Sequence, residues 1–354
     1  MTWLHRLASG TARALAKALL LLGLVLSPAA GVEVAPGLTI EVVVSGVPRP
    51  VQVALDASRH LVILSHGRQG DAAAELYRLE VSALPVDASR QPRVVIPFSS
   101  DPRKAAFGSL AVDPRSGDLF LGEENGNRIY RFQSTGQLTL FGVGLNHLLG
   151  GSSLAFERSG RLVVLDYASP EEQLRSEAPP PAGFEWLSGD AYHGPVVFRL
   201  DPAENIPLPR RLDVIPPILP RGVPRRLVAE PLYRFIAVAT MPSGEIVLLN
   251  SIGEVLVRSS DGTLRQLARL PSGHYHRTHM AVGPGGSVFV SSGFQIRQIF
   301  RIAPDGAVAS IAQNLGDAQG IAVDDAGGLY VAETALHRVI RIGPLVTPPP
   351  PSPR

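Results

Sequence analysis

The chain has 354 residues, with 33 basic and 31 acidic residues and no cysteine. The absence of cysteine excludes disulfides and a thiol nucleophile, so stability must come from burial of apolar side chains, which a core of this size can supply. The formal net charge of +2 gives no indication of nucleic-acid binding. Although two domains would be ordinary for this length, a repeat ring holds as much chain in one unit, and one domain is expected.

Residues 1–30 are typical of a secretory signal peptide. Their first part carries three Lys or Arg residues and no acid, and an apolar stretch follows at 18–26. That stretch is shorter than the roughly 20 apolar residues that a membrane helix needs. We therefore expect a secreted or periplasmic protein without a membrane span after cleavage behind Ala29 or Gly31; an organelle transit peptide is the alternative. Removal of the three cations leaves the mature chain near −1.

One unit recurs six times along the chain. GIAVDDAGGLYVAET at Gly320 to Thr334 is the clearest copy, and GSLAVDPRSGDLFLGEE at Gly108 to Glu124 is its sibling. In each copy an apolar run with a central alanine is followed by a turn and a second apolar run. The central alanines are Ala54, Ala111, Ala155, Ala239, Ala281 and Ala322. The second run ends eleven residues later in five copies and twelve in the second copy, which indicates a repeat architecture.

A third segment with period-two alternation follows each pair of runs and carries a central arginine. The six arginines are Arg78, Arg131, Arg199, Arg258, Arg301 and Arg341. A weaker fourth strand then precedes the next unit, except in the sixth. The sequence predicts an all-β, six-bladed β-propeller over residues 31–346, with four antiparallel strands per blade. Residues 38–47 resemble a fourth strand, and we predict that they complete the last blade and close the ring.

Three segments depart from this regularity. Residues 168–193 are inserted between the second and third strands of blade three, where their aromatic content favours packing on the ring as a lid. Residues 201–231 are Pro-rich and irregular, and the Pro-rich tail 347–354 is expected to be disordered.

The G-I-A-V-D, L-Y-V-A-E-T and H-R-V-I-R-I segments of the last blade resemble the NHL repeat and the related SMP-30/gluconolactonase-type six-bladed propellers. The resemblance covers the repeats of the whole mature chain. It implies a fold but no particular function, since such rings include hydrolases, lyases and pure binding modules.

Propeller topology assigns seven of the eight mature-chain histidines to one face, called here the top face, and only His60 to the other. Imidazole serves as a metal ligand or proton carrier, so convergence at the mouth of the central channel would form a site. The alternative is that loops are simply where polar residues lie. The predicted binding residues are His147, Trp186, Tyr192, His193, His276, His279 and His337. Of these, His147, His279 and His337 are the candidate metal ligands.

Carboxylates and arginines that recur in the blades are predicted to serve the scaffold. Those that end the second strand (Glu123, Asp166 and Glu333, with Asn250 in the same place) are expected to cap neighbouring loops. Glu124 and Asn125 are not repeated, and Glu124 and Asp166 are the candidate catalytic bases. The third-strand arginines are expected to pair with Asp56, Asp113 or Asp324.

The resemblance to gluconolactonase-type propellers implies a divalent cation held by Glu, Asn and Asp at the inner mouth. Three residues before the central alanines this chain has none of these: the positions hold Val51, Gly108, Ser152, Ile236, Thr278 and Gln319. A hard cation such as calcium prefers charged or carbonyl oxygens, whereas a lyase of the peptide-amidating type holds zinc by several histidines.

The sequence therefore favours a monomeric binding module for a protein, peptide, glycan or small molecule. The alternative is a metal-dependent hydrolase or lyase of lactonase or esterase type, with zinc or calcium as the metal. A structural or assembly role is a third possibility.

Overall fold

The structure, a computed structural model, describes residues 31–68, 73–97, 107–124, 126–146, 148, 153–168, 182–183, 194–219 and 234–345. Its contacts divide the chain into Met1–Glu33 and Val34–Arg354, and the ring lies in the second unit. The predicted signal peptide, most of the insertion at 168–193 and the tail at 347–354 lie outside the described residues. None of the helices in the described ranges has the length and apolar character to cross a bilayer.

The described residues form strands almost throughout, and their bounds in chain order are β1 (Glu33–Val34), β2 (Thr39–Ser45), β3 (Pro50–Leu55), β4 (His60–Ser65), β5 (Ala73–Glu80), β6 (Val86–Asp87), β7 (Arg93–Pro97), β8 (Phe107–Val112), β9 (Leu119–Glu123), β10 (Arg128–Phe132), β11 (Leu138–Val143), β12 (Leu154–Phe156), β13 (Leu162–Ala168), β14 (Gly194–Leu200), β15 (Arg210–Arg211), β16 (Phe235–Thr240), β17 (Ile246–Asn250), β18 (Glu254–Arg258), β19 (Leu264–Arg269), β20 (Met280–Val282), β21 (Val288–Ser291), β22 (Ile299–Ile302), β23 (Val308–Gln313), β24 (Ala318–Val323), β25 (Leu329–Glu333) and β26 (Arg338–Gly343). One α-helical turn, α1, covers Gly293–Ile296. Short 3-10 turns cover Val81–Ala83, Ala88–Arg90, Leu212–Val214, Pro284–Gly286 and Thr334–Leu336.

These strands form six sheets arranged as the six predicted blades. Blade one is β3, β4, β5 and β7; blade two is β8 to β11; blade three is β12 to β14; blade four is β16 to β19; blade five is β20 to β23; and blade six is β24 to β26 with β2. The first strand of each blade contacts the first strand of the next, and β24 contacts β3. The all-β six-bladed propeller is confirmed.

The ring closes as predicted, through a strand from the beginning of the second unit. β2 pairs antiparallel with β26, from Thr39 opposite Gly343 to Ser45 opposite Arg338. Val44 is fully buried in this blade, whereas Val42 is 42% exposed. The pairing leaves the outer edge of β26 covered, which protects the ring from opening at the junction of the chain ends.

Two short parallel strands were not expected from the sequence. β6 leaves blade one and pairs with β2 of blade six, and β15 leaves the segment after blade three and pairs with β11 of blade two. The second lies in the segment 201–231 that was expected to be irregular. Blade three has three strands among the described residues, and Leu219 bridges to Val197 where a fourth would lie. Each of these segments fastens one blade to a neighbour.

The core lies between the blades. Between blades two and three, Phe120 meets Phe141 and Phe156 edge-to-face, with ring centroids 4.9 and 5.2 Å apart. Equivalent clusters of buried aliphatic and aromatic side chains fill the other described seams. Because these clusters cover the faces of the sheets at the described seams, the inner strands are mostly apolar and do not alternate.

The recurring arginines serve the scaffold, with one correction to the predicted partners. Arg78 pairs with the buried Asp56, and Arg341 pairs with Asp324 at 3.3 Å. Arg131 pairs with Asp118 at 2.6 Å, so the prediction of Asp113 is wrong. The longer turn of the second copy explains the difference: Asp113 accepts from the Arg115 amide and Ser116 hydroxyl inside that turn, and Asp118 takes over the ion pair.

Candidate functional site

The central channel is closed near its top by His279, which precedes β20 in blade five. Its side chain is buried, and Nε2 lies 3.5 Å from the carbonyl oxygen of Gly108 in blade two. Blades two and five lie opposite each other in a ring of six, so the imidazole spans the channel. A carbonyl only accepts, so Nε2 is the protonated nitrogen. Burial lowers the pKa of His279 to about 4 and keeps the ring neutral.

Five ionisable side chains gather above this closure, and we call them the axial mouth. They are His66, Glu124, His276, Arg277 and Asp317. The charge of Arg277 lowers the pKa of each of the other four, so its guanidinium lies near all of them. The axial mouth therefore combines residues from the ends of four blades around one cation.

Arg277 is the central member of the axial mouth. Its backbone adopts the left-handed conformation, with φ of 51°, and its side chain is half-buried. Within the described part of the chain its guanidinium makes no hydrogen bond or ion pair. A guanidinium offers five N–H donors, and none of those of Arg277 is taken up by the described residues. The position is suited to an oxyanion supplied from outside the protein.

Glu124, one of the two candidate bases, follows the last residue of β9 and belongs to the axial mouth. Burial raises the pKa of its carboxyl, and the nearby Arg277 opposes that rise. Its neighbour Glu123 is fully buried and accepts from the Tyr130 hydroxyl at 3.4 Å. Adjacent residues of a strand point to opposite faces, which separates the scaffold carboxylate Glu123 from Glu124.

Asp317 is a second carboxyl in the axial mouth, and sequence reasoning missed it. Burial raises its pKa, against a hydrogen bond from Gln319 Nε2 to Oδ2 at 2.9 Å and the charge of Arg277. Oδ1 is buried and has no hydrogen-bond partner among the described residues. An unpaired buried carboxylate oxygen is rare in folded proteins and points to a missing donor.

The two histidines of the axial mouth differ in their surroundings. His66 Nε2 donates to the Phe107 carbonyl at 2.9 Å, and burial lowers the pKa of His66 to about 4, helped by the charge of Arg277. His276, one of the predicted binding residues, stacks on His274 with ring centroids 6.4 Å apart. Burial and Arg277 lower its pKa too. Both rings are therefore neutral near pH 7 and present a nitrogen lone pair.

The other predicted residues have separate positions. Asp166 is buried and accepts from the backbone and side-chain nitrogens of Asn146 at 2.9 and 3.2 Å. Glu333 likewise accepts from the Gly316 amide at 2.7 Å, so the predicted capping role is confirmed for both. The remaining predicted residues lie outside the described residues: Asn125, His147, Trp186, Tyr192 and His193.

His337 lies on the top face beside a cavity and not in the axial mouth. Its Nδ1 accepts from the backbone amide of Arg49 at 3.0 Å, so the proton resides on Nε2. The cavity has a volume of about 500 Å³ and lies where blades six and one meet; its lining includes Arg49, Arg68, Asp317 and His337. Asp317 thus borders both this side cavity and the axial mouth.

The predicted metal set fits poorly within the described residues. No three His, Asp or Glu side chains there are placed to hold a metal ion. The Nδ1 lone pair of His337 is already occupied, and His279 offers only a buried Nδ1 with no hydrogen-bond partner in the described ranges. Since His147 lies outside those ranges, the set of His147, His279 and His337 stays a prediction.

Comparison with solved structures supports the same fold. Virginiamycin B lyase from Staphylococcus aureus aligns with a TM-score of 0.53 and 10% identity, over 89% of this chain and all of that one. A gluconolactonase from Xanthomonas campestris aligns with a TM-score of 0.54 and 17% identity, over 87% of this chain and 90% of the other. No family model matches the sequence, and no curated protein matches it. The chain shares the six-bladed β-propeller fold with these structures at low identity, as the resemblance to SMP-30/gluconolactonase-type rings implied.

Proposed function

We propose that this chain is a binding module whose axial mouth holds a small ligand by an anionic group. The observation that carries the proposal is the half-buried guanidinium of Arg277, which has no hydrogen-bonding partner among the described residues. A planar guanidinium pairs with a carboxylate through two parallel hydrogen bonds, and such charged bonds are about twice as strong as neutral ones. The neutral rings of His66 and His276 add polar contacts without repelling an anion.

The two carboxyls of the axial mouth should make the affinity for an anion depend on pH. Glu124 and Asp317 both have raised pKa values because they are buried. They therefore become neutral at a higher pH than exposed carboxyls, and repulsion of an anion at Arg277 decreases as the pH falls. We expect the affinity for a carboxylate to increase from pH 7.5 toward the ordinary range of carboxyl pKa values, about pH 4 to 5.

Calorimetric titration with a series of monocarboxylates tests the proposal. Arg277→Gln should weaken binding by about ten-fold or more, since one charged hydrogen-bonding pair is lost. Arg59→Gln is the matched control, because Arg59 is also an arginine in the left-handed conformation, with φ of 61°, and lies in the opposite-face turn between β3 and β4. Equal affinities of wild type and Arg277→Gln for every acid tested would refute the proposal.

A hydrolase or lyase is the second candidate, and Glu124 is the observation in its favour. A carboxyl whose pKa is raised by burial, next to a guanidinium that stabilises negative charge, is suited to proton transfer. Glu124→Gln should abolish turnover of an ester or lactone while leaving binding of the product acid. A metal-dependent form of this function predicts stoichiometric metal in protein never exposed to chelator. Absence of metal, together with unchanged binding after His147→Ala and His279→Ala, would count against that form.

The compartment and the partner are further parts of the proposal. Export by residues 1–30 would place the binding outside the cell or in the periplasm, and fractionation with N-terminal sequencing of the mature chain tests this. A ligand as small as a carboxylic acid is favoured over a protein or glycan, because the charged groups converge on one mouth instead of spreading over the top face. Analytical ultracentrifugation tests the proposed monomer.

A further inference from the structure

The side cavity beside the axial mouth has no role in the binding described so far. It lies at the junction of blades six and one, has a volume of about 500 Å³ and is lined by two arginines, Arg49 and Arg68, with the exposed His337. Asp317 is the acidic residue in its wall. The described lining therefore contains two arginines and one carboxyl, which favours an anionic occupant.

Arg49 is held rigidly and keeps its charge. Its Nε donates to the Gly67 carbonyl at 2.9 Å, and one Nη donates to the carbonyls of His66 and Arg68 at 2.9 and 3.0 Å. Carbonyl oxygens orient the guanidinium but do not neutralise it. The amide of Arg49 in turn donates to His337 Nδ1, which leaves Nε2–H of His337 as a further donor beside the cavity.

Asp317 connects this cavity to the axial mouth. It is in the wall of the cavity, and its carboxyl also interacts electrostatically with Arg277 and His276. Two cationic positions, one at Arg277 and one at Arg49 and Arg68, therefore lie near a single carboxyl. Oδ1 of Asp317, which has no hydrogen-bond partner among the described residues, can accept a hydrogen bond between the side cavity and the axial mouth.

We infer that the ligand carries two anionic groups, one bound at Arg277 and the other in the side cavity. The chemical class is an elongated dicarboxylate with a hydrogen-bond donor, a hydroxyl or an amine, in its middle section facing Asp317. This inference rests on the proposed function for the first anionic group only. The second group adds affinity because both arginine positions belong to one molecule, so the second contact forms without further translational cost.

Calorimetry with linear α,ω-dicarboxylates of increasing length, each against the monocarboxylate of the same length, tests the inference. One length of diacid should bind about ten-fold more tightly than its monoacid. Arg68→Gln should remove that advantage and leave monoacid binding unchanged. Arg90→Gln is the matched control, since Arg90 is 86% exposed and lies on the loop that carries β6.

The outcomes separate the two proposals. If diacids and monoacids bind equally at every length, or if Arg68→Gln retains the diacid advantage, the side cavity is not a second anion site, whereas binding of monoacids through Arg277 still stands. If Arg277→Gln leaves monoacid binding intact while Arg68→Gln abolishes it, monoacids do not bind at the axial mouth. Both the proposed function and the proposed ligand with two anionic groups are then refuted. A hydroxylated diacid of the best length should bind more tightly than the plain diacid; equal affinity would refute the donor facing Asp317.

Discussion

We expect the protein to become less stable in mild acid, and we expect His279→Gln to reduce this decrease in the free energy of unfolding substantially. The imidazole is buried across the channel, and its pKa is lowered from 6.5 to about 4 by that burial. His279 is therefore protonated below about pH 6.5 in the unfolded chain, but only below about pH 4 in the folded chain. Since the unfolded state binds more protons in this window, the free energy of unfolding must fall as the pH decreases.

The magnitude follows from the width of the window. Each pH unit between the two pKa values costs about 1.4 kcal/mol, so His279 contributes a loss of about 2 kcal/mol at pH 5 and about 3 kcal/mol at pH 4. Glutamine does not titrate and retains a donor for the Gly108 carbonyl. The variant should accordingly lose about 2 kcal/mol less than wild type between pH 7.5 and pH 5.

Urea unfolding at pH 7.5 and pH 5, followed by tryptophan fluorescence and circular dichroism, measures this difference. Comparing two pH values within each protein cancels any change in absolute stability that the substitution causes. His274→Gln is the control, because it removes an exposed imidazole from the same loop. An identical pH dependence in wild type and His279→Gln would show that the ring is solvated or charged in the fold, and the account of the closed channel would be wrong.

Ring closure and blade packing give two further predictions with internal controls. Val44→Asp should prevent folding or cost more than about 4 kcal/mol because the side chain is fully buried in β2. Val42→Asp in the same strand should cost less than about 1 kcal/mol, as the side chain is 42% exposed; equal effects in thermal unfolding would contradict the closure. Gly320→Ala should destabilise by about 2 kcal/mol or more, because the new Cβ would lie 2.4 Å from the Cα of Gln52 in the next blade. Gly343→Ala meets nothing nearer than 3.6 Å and should have little effect on the melting temperature.

The fold was accessible from the sequence because every blade repeats the same local signals. The spacing from each central alanine to the end of the second run fixes two strands and their turn. The alternating segment around each arginine fixes the third, and β2 was placed by its likeness to a fourth strand. β6 and β15 escaped prediction because each is a two-residue parallel strand, too short to show any period.

The site could be predicted from the sequence only in part, because its residues come from different blades and have no fixed spacing along the chain. Glu124 was found as a carboxylate outside the repeat. Arg277 was overlooked among the neighbouring histidines, and Asp317 gave no signal of its own. Their importance depends on convergence and on the absence of a partner, which are properties of the fold. The left-handed backbone of both residues, with φ of 51° and 59°, is a local feature that a search for strained polar residues would detect.

His279 also determines which parts of the ring a ligand can reach. Below its closure, the opposite end of the channel opens into a separate cavity of about 530 Å³, whose lining mixes apolar residues such as Phe156 and Met241 with charged ones such as Arg158 and Asp324. The buried imidazole, which bridges opposite blades, stands in the way of a carboxylate moving from one end of the channel to the other. A ligand of the axial mouth must therefore enter and leave by the top face. Substitutions around Met241 should leave its affinity unchanged, whereas those at Arg277 and Asp317 should alter it, since His279 lies between the two ends of the ring.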